Sequence, residues 1–81
     1  MDNLTPFTLV FDRQKEDWAL RNDMTGRTVR RFETKEDATK GGVLEGAVGP
    51  HGGSVRIHKL NGQFDEERTY PGSRDPRSSR G

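Results

Sequence analysis

The chain has 81 residues, 27% of them hydrophobic and 33% charged, with a formal net charge of +1 and no cysteine. That length holds one domain and not two. The missing thiols exclude disulfides and thiolate zinc sites, and the near-zero charge excludes a strong global field drawing the protein to nucleic acid. The composition lies near that of disordered chains, but the apolar residues are concentrated. Phe7, Leu9, Val10, Phe11, Trp18 and Leu20 cluster early, and Val55, Ile57, Phe64 and Tyr70 cluster late. A thin core follows, contributing on the order of 3–5 kcal/mol. The opening Met-Asp-Asn-Leu-Thr-Pro has no basic n-region and no apolar run, so no signal peptide is expected. No stretch approaches the ~20 apolar residues of a membrane span. A soluble, cytoplasmic protein is the expectation.

Phe7 to Phe11 is a run of strand formers between Pro6 and the charged stretch Asp12 to Asp17. Trp18-Ala-Leu20 opens a second strand, which ends in the turn signal Asn22-Asp-Met-Thr-Gly26. Arg27 to Phe32 reads as a third. The short loops between these runs predict an antiparallel meander. At Thr34 the period changes. Thr34-Lys-Glu-Asp37 resembles a capping box, and Ala38, Gly41, Leu44 and Val48 fall near one helical face. The helix is expected from about Lys35 to Val48, where Gly49-Pro50 stops it. Gly41, Gly42 and Gly46 weaken its second half by roughly 1 kcal/mol each.

Ser54 to Lys59 and Gln63 to Tyr70 then form a hairpin around Asn61-Gly62, a strong turn signal. The expected fold is α+β: a small antiparallel β-sheet with one helix packed on one face, in the order ββ(β)αββ. It occupies residues 1–70 as a single domain. Residues 71–81, rich in Gly, Ser, Arg and Pro without apolar residues, are expected to be a disordered basic tail.

In this order and spacing, Trp18-Ala-Leu20, Thr34-Lys35-x-Asp37-Ala38, Val55-x-Ile57-His58, Asn61-Gly62 and Glu67-Arg-Thr-Tyr70 resemble a small bacterial family called domain of unknown function 2188. Its members show a Trp-x-Val strand, a Thr-Lys-x-x-Ala helix start, an Ile-His strand, a Gly turn and an acidic strand ending in Thr-Tyr. The resemblance spans most of Phe7 to Tyr70. It departs in the helix, where paired glycines stand in place of an Ala-rich run. It implies a compact ββαββ-like domain and brings no activity, cofactor or catalytic residue.

The side chains carry no evident catalytic constellation. His51 lies in a Gly-rich loop and His58 on a strand, with no acid pair spaced to join them in a metal site, so a structural or surface role is expected for each. No serine sits in an elbow-like context, and no Gly-Lys-Ser/Thr follows the glycines. Asp65, Glu66 and Glu67 read as hairpin acids facing Arg56, His58 and Lys59. The expectation is therefore no enzyme, no cofactor, no metal, no small-molecule ligand and no membrane.

Alternation turns Leu9, Phe11, Trp18, Leu20, Val55 and Ile57 inward, and Thr8, Val10, Arg21, Arg56 and His58 outward. Arg30 or Arg31 joins the outer set, depending on register. Two functions compete. The first is a non-catalytic interaction domain binding a protein partner or itself through the sheet face or an edge strand. The alternative is weak, sequence-independent nucleic-acid binding through Arg21, Arg30, Arg31, Arg56 and His58, with Arg74, Arg77 and Arg80 of the tail. The outer face is expected to lack the stacking aromatics of single-strand binders.

Overall fold

The computed structural model describes residues 4–71. The chain runs β1 (Thr5–Asp12), β2 (Asp17–Asn22), β3 (Arg27–Phe32), α1 (Lys35–Thr39), α2 (Val43–Val48), β4 (Gly53–His58) and β5 (Phe64–Tyr70). The five strands form one sheet in the order β3-β2-β1-β4-β5. Of the expected tail at residues 71–81, residues 72–81 lie outside the described residues, Arg74, Arg77 and Arg80 among them.

The first three strands form the expected meander, because each turn is closed locally. The Asp12 carboxylate accepts from the backbone N–H of Gln14 (2.9 Å) and Lys15 (3.3 Å), and the Asn22 side chain accepts from Met24 (2.8 Å) and Thr25 (3.3 Å). Asn and Asp favour such turns because their short side chains imitate a backbone acceptor. The last two strands form the expected antiparallel hairpin, with Gln63 N–H donating to the Asn61 side chain at 3.0 Å.

The sheet is not antiparallel throughout. β4 lies beside β1 and parallel to it, pairing Thr5 with Gly53, Phe7 with Val55 and Leu9 with Ile57. Residues 33–52 carry the chain from the outer edge of the meander back to its other side. A crossover of that length delivers a parallel strand, which a tight turn cannot. The architecture is α+β with a mixed sheet.

The helical segment also differs from expectation. It is two short helices and not one. Thr34 caps α1 as its sequence suggests: its hydroxyl accepts from Asp37 N–H at 2.9 Å. Lys40 then turns extended at ψ 159° and Gly42 takes φ +81°, a left-handed conformation that L side chains rarely adopt. The break falls between Lys40 and Gly42, and Gly42 supplies its left-handed residue. Ala38 and Leu44 remain buried on the sheet, with Val43, Ala47 and Val48 packed around them, whereas Gly41 is exposed.

Between helices and sheet lies the core: Phe7, Leu9, Trp18, Leu20, Phe32, Ala38, Leu44, Val55 and Ile57. Leu9, Leu20, Val55 and Ile57 are at 0% exposure, so one residue of β1, one of β2 and two of β4 are wholly removed from water. Each such aliphatic side chain is worth about 1.5–3 kcal/mol of burial. Phe11 rests edge-on against Trp18 with ring centroids 5.6 Å apart and extends the core toward the β1–β2 turn. Lys35 Nζ sits 5.7 Å from the Trp18 ring centroid and 2.7 Å from Asp65 Oδ2, which ties α1 to β5 over the indole.

Candidate functional site: the open sheet face and its edges

Among the described residues, the helices cover one face of the sheet and leave the other open. Strand pairing lays Thr28, Arg21, Thr8, Arg56 and Glu67 in one row across that open face. Ala19 stands opposite Val10 on one side and Arg31 on the other, forming a second row. Asp12 and Asp17 face each other beyond it. The five outward residues read from alternation (Thr8, Val10, Arg21, Arg56 and His58) therefore lie on this face together.

Register separates Arg30 from Arg31. Arg31 pairs with Ala19 and is on the open face. Arg30 pairs with core Leu20, and its guanidinium carbon lies 5.5 Å from the Phe32 ring centroid on the helix side. A bulge decides the remaining register of β3. Leu20 pairs with Arg30 but Arg21 with Thr28, so Val29 is the extra residue.

Acids that the pattern of basic residues did not bring forward occupy the same surface. Arg31 Nη1 reaches Asp17 Oδ1 at 2.7 Å and Asp12 Oδ2 at 3.2 Å, so one guanidinium is held between two carboxylates. The Thr8 hydroxyl meets both Asp23 carboxylate oxygens, at 2.8 and 3.0 Å. Ser54 donates its hydroxyl to Glu67. Arg21 and Arg56 form no ion pair among the described residues. The signal was present in the spacing: Asp12 follows Thr8 and Val10 at steps of two, so a strand must put all three on one face.

The hairpin acids do not face the basic residues of β4 as a group. Glu67 stands opposite Arg56, but Asp65 pairs with Lys35 and Glu66 with Arg68, at 2.7 and 3.0 Å. Asp65 is a second bulge residue, since Ile57 pairs with Glu66 and His58 with Phe64. That pairing also puts an aromatic ring on the open face, contrary to expectation. Phe64 is 56% exposed and meets the His58 ring edge-on at 6.3 Å. His58 Nδ1 lies 2.9 Å from the Gly62 carbonyl oxygen, which fixes the imidazole against the β4–β5 turn.

The surface is shallow. An open depression of about 450 Å³ runs over Val10, Ala19, Arg21 and Thr28. Another of similar size lies at the turn end, between Phe11 and Leu60. Among the described residues, no three His, Asp or Glu side chains converge as a metal site would require. No helix among the described residues is long and apolar enough to cross a membrane.

The acids respond to these contacts. At Asp12 desolvation is the largest single influence and acts to raise the pKa, but hydrogen bonds from the Lys15 and Gln14 backbones and from Arg31 together outweigh it, leaving the carboxyl below its ordinary value of 3.8. At Asp65 the Lys35 hydrogen bond lowers it in the same direction. A carboxyl depressed in the folded state contributes stability above its ordinary value and loses it as pH falls through the folded one. Thermal midpoints are therefore expected to hold from neutral pH down to about 5 and to fall below about 4. Asp12→Asn should flatten that acid slope, as read by melting curves across the range.

The fold and this surface define a small two-layer α+β domain with one open sheet face and two outermost strands. A family model described as an uncharacterized protein conserved in bacteria, DUF2188, matches residues 7–70. The chain belongs to that family, as the order of its short motifs suggested. No curated protein and no solved structure matches it.

Proposed function

We propose that the domain is a non-catalytic interaction module that binds a protein partner, or itself, through its edge strands. The observation that carries this reading is the pair of strands at the ends of the sheet. β3 and β5 each have a strand neighbour on one side only among the described residues. Such strands offer unpaired backbone N–H and C=O groups to another chain. Neither is short: β3 has 6 residues and β5 has 7. Each carries charges and one bulge, features that suppress indiscriminate pairing and leave room for a matched partner.

The second reading, nucleic-acid binding by the open face, draws support from Arg21, Arg56 and the exposed Phe64 ring. Against it stands the charge on that surface. Arg31 is already neutralised by Asp12 and Asp17, and Glu67 and Asp23 border the two remaining arginines. A phosphate backbone laid there would meet carboxylates as often as guanidinium groups, and steep affinity requires a surplus of cations.

A photo-crosslinking amino acid placed at Val29 in β3 or Thr69 in β5, in the native bacterium, tests the proposal. Protein adducts from both edges, with few from a control position at Met24 in the β2–β3 turn, are expected. Adducts to nucleic acid, or none from either edge, would overturn it.

A further inference from the structure

The two edges carry opposite charge. β3 holds Arg27, Arg30 and Arg31 and no acid, while β5 holds Asp65, Glu66 and Glu67 against the single Arg68. Some of this charge is engaged within the chain: Arg31 with Asp12 and Asp17, Asp65 with Lys35, and Glu66 with Arg68. Arg27, Arg30 and Glu67 form no ion pair among the described residues, the two arginines standing on the helix side of the sheet and Glu67 on its open face.

Strand direction agrees with charge. β3 and β1 are both antiparallel to β2, β4 is parallel to β1, and β5 is antiparallel to β4. β3 and β5 therefore run in opposite senses. When a second copy is set beside the first in the same orientation, its β3 meets the first copy's β5 as an antiparallel pair. The helices of both copies then lie on the same side of one continuous sheet. Antiparallel pairing requires no crossover and is the slightly more stable kind.

We propose that the partner of each edge is a second copy of this chain, with β3 of one copy docking on β5 of the next in a head-to-tail array. This rests on the edge-strand reading above and names its occupant. Pairing like edges about a two-fold axis would set arginines against arginines, or acids against acids, and directly opposed like charges are destabilising. The head-to-tail contact is heterologous. It uses two different patches and leaves a free β3 at one end and a free β5 at the other, so growth does not stop at a dimer. Charge-driven docking must also weaken with salt, as the Debye length falls from ~30 Å at 0.01 M to ~3 Å at 1 M.

Analytical ultracentrifugation of the full chain decides it. At about 0.01 M salt the weight-average mass is expected to rise with concentration past that of a dimer, and at about 1 M salt to return to the monomer. A variant with Arg27→Glu and Arg30→Glu should stay monomeric at low salt, as should one with Glu66→Lys and Glu67→Lys. An equimolar mixture of the two should regain the heavier species, a rescue that misfolded variants could not give. If either variant fails to fold, the salt and concentration series on the unaltered chain still decides. A chain monomeric under every condition overturns the proposal, and so does a dimer that grows no further or survives both charge reversals. The edge cross-links distinguish the two failures. A monomeric chain whose edges still cross-link to a different protein leaves the edge-strand reading standing without self-association, and edges that capture nothing remove both.

Discussion

Trp18→Ala should cost about 3–5 kcal/mol, enough to leave the domain largely unfolded at room temperature. The indole is 6% exposed, braced edge-on by Phe11 and paired across the sheet with Phe32 at the start of the crossover. It also lies beneath Lys35, whose ammonium bonds Asp65 on the far strand. Truncation leaves a cavity under α1 and removes the surface on which the Lys35–Asp65 tie is built. The neighbours are strand residues locked in register, so the site collapses poorly and the loss stays near the upper end of that range. Chemical denaturation followed by far-ultraviolet circular dichroism measures it. A change below about 1 kcal/mol would place Trp18 outside the core.

Gly53→Ala is the second large effect, and it works by excess and not by loss. Gly53 opens β4 opposite Thr5, where the two parallel strands first meet. A Cβ there would lie 2.6 and 2.9 Å from Phe7 ring carbons and 2.9 Å from the Thr5 carbonyl oxygen. The ring is itself buried at 4% exposure, and the carbonyl belongs to the strand backbone, so neither yields cheaply. Overpacking of this kind costs about 1–3 kcal/mol. Since the contact is specific to the β1–β4 pair, amide exchange should accelerate first along those two strands, and the β2–β3 hairpin should hold longer. Uniform acceleration across the sheet would show that the clash is absorbed elsewhere.

Much of this fold was legible because its instructions are local. Alternation in Phe7 to Phe11 and Val55 to Ile57 sorted the two faces correctly, Thr34 marked the helix start, and Asn61-Gly62 marked the hairpin. The parallel β1–β4 pair was not legible in the same way. It joins residues nearly fifty positions apart, and nothing in either strand states which side of β1 the crossover will reach. The helix break had a visible cause in Gly41-Gly42, yet glycine weakens a helix and opens a turn by the same freedom, so the spacing alone could not choose between them. On the open face, Arg21, Arg56 and His58 were placed by alternation, whereas Arg30 and Arg31 awaited the register that pairs Phe32 with Trp18. Asp12 and Asp17 flank the β1–β2 turn and were within reach of the same alternation, but only the pairing of β3 with β2 brings Arg31 between them.

An amide-shift series on the labelled full chain compares the edges with the arginine face in one experiment. The spectra would be recorded over a range of protein concentrations at low salt, then after adding mixed-sequence DNA and RNA. Shifts that grow with protein concentration, are confined to β3 and β5, and stay unchanged by nucleic acid are the expected result. Salt-sensitive shifts centred on Arg21, Arg56 and Phe64 upon adding nucleic acid, with edges indifferent to concentration, would contradict it.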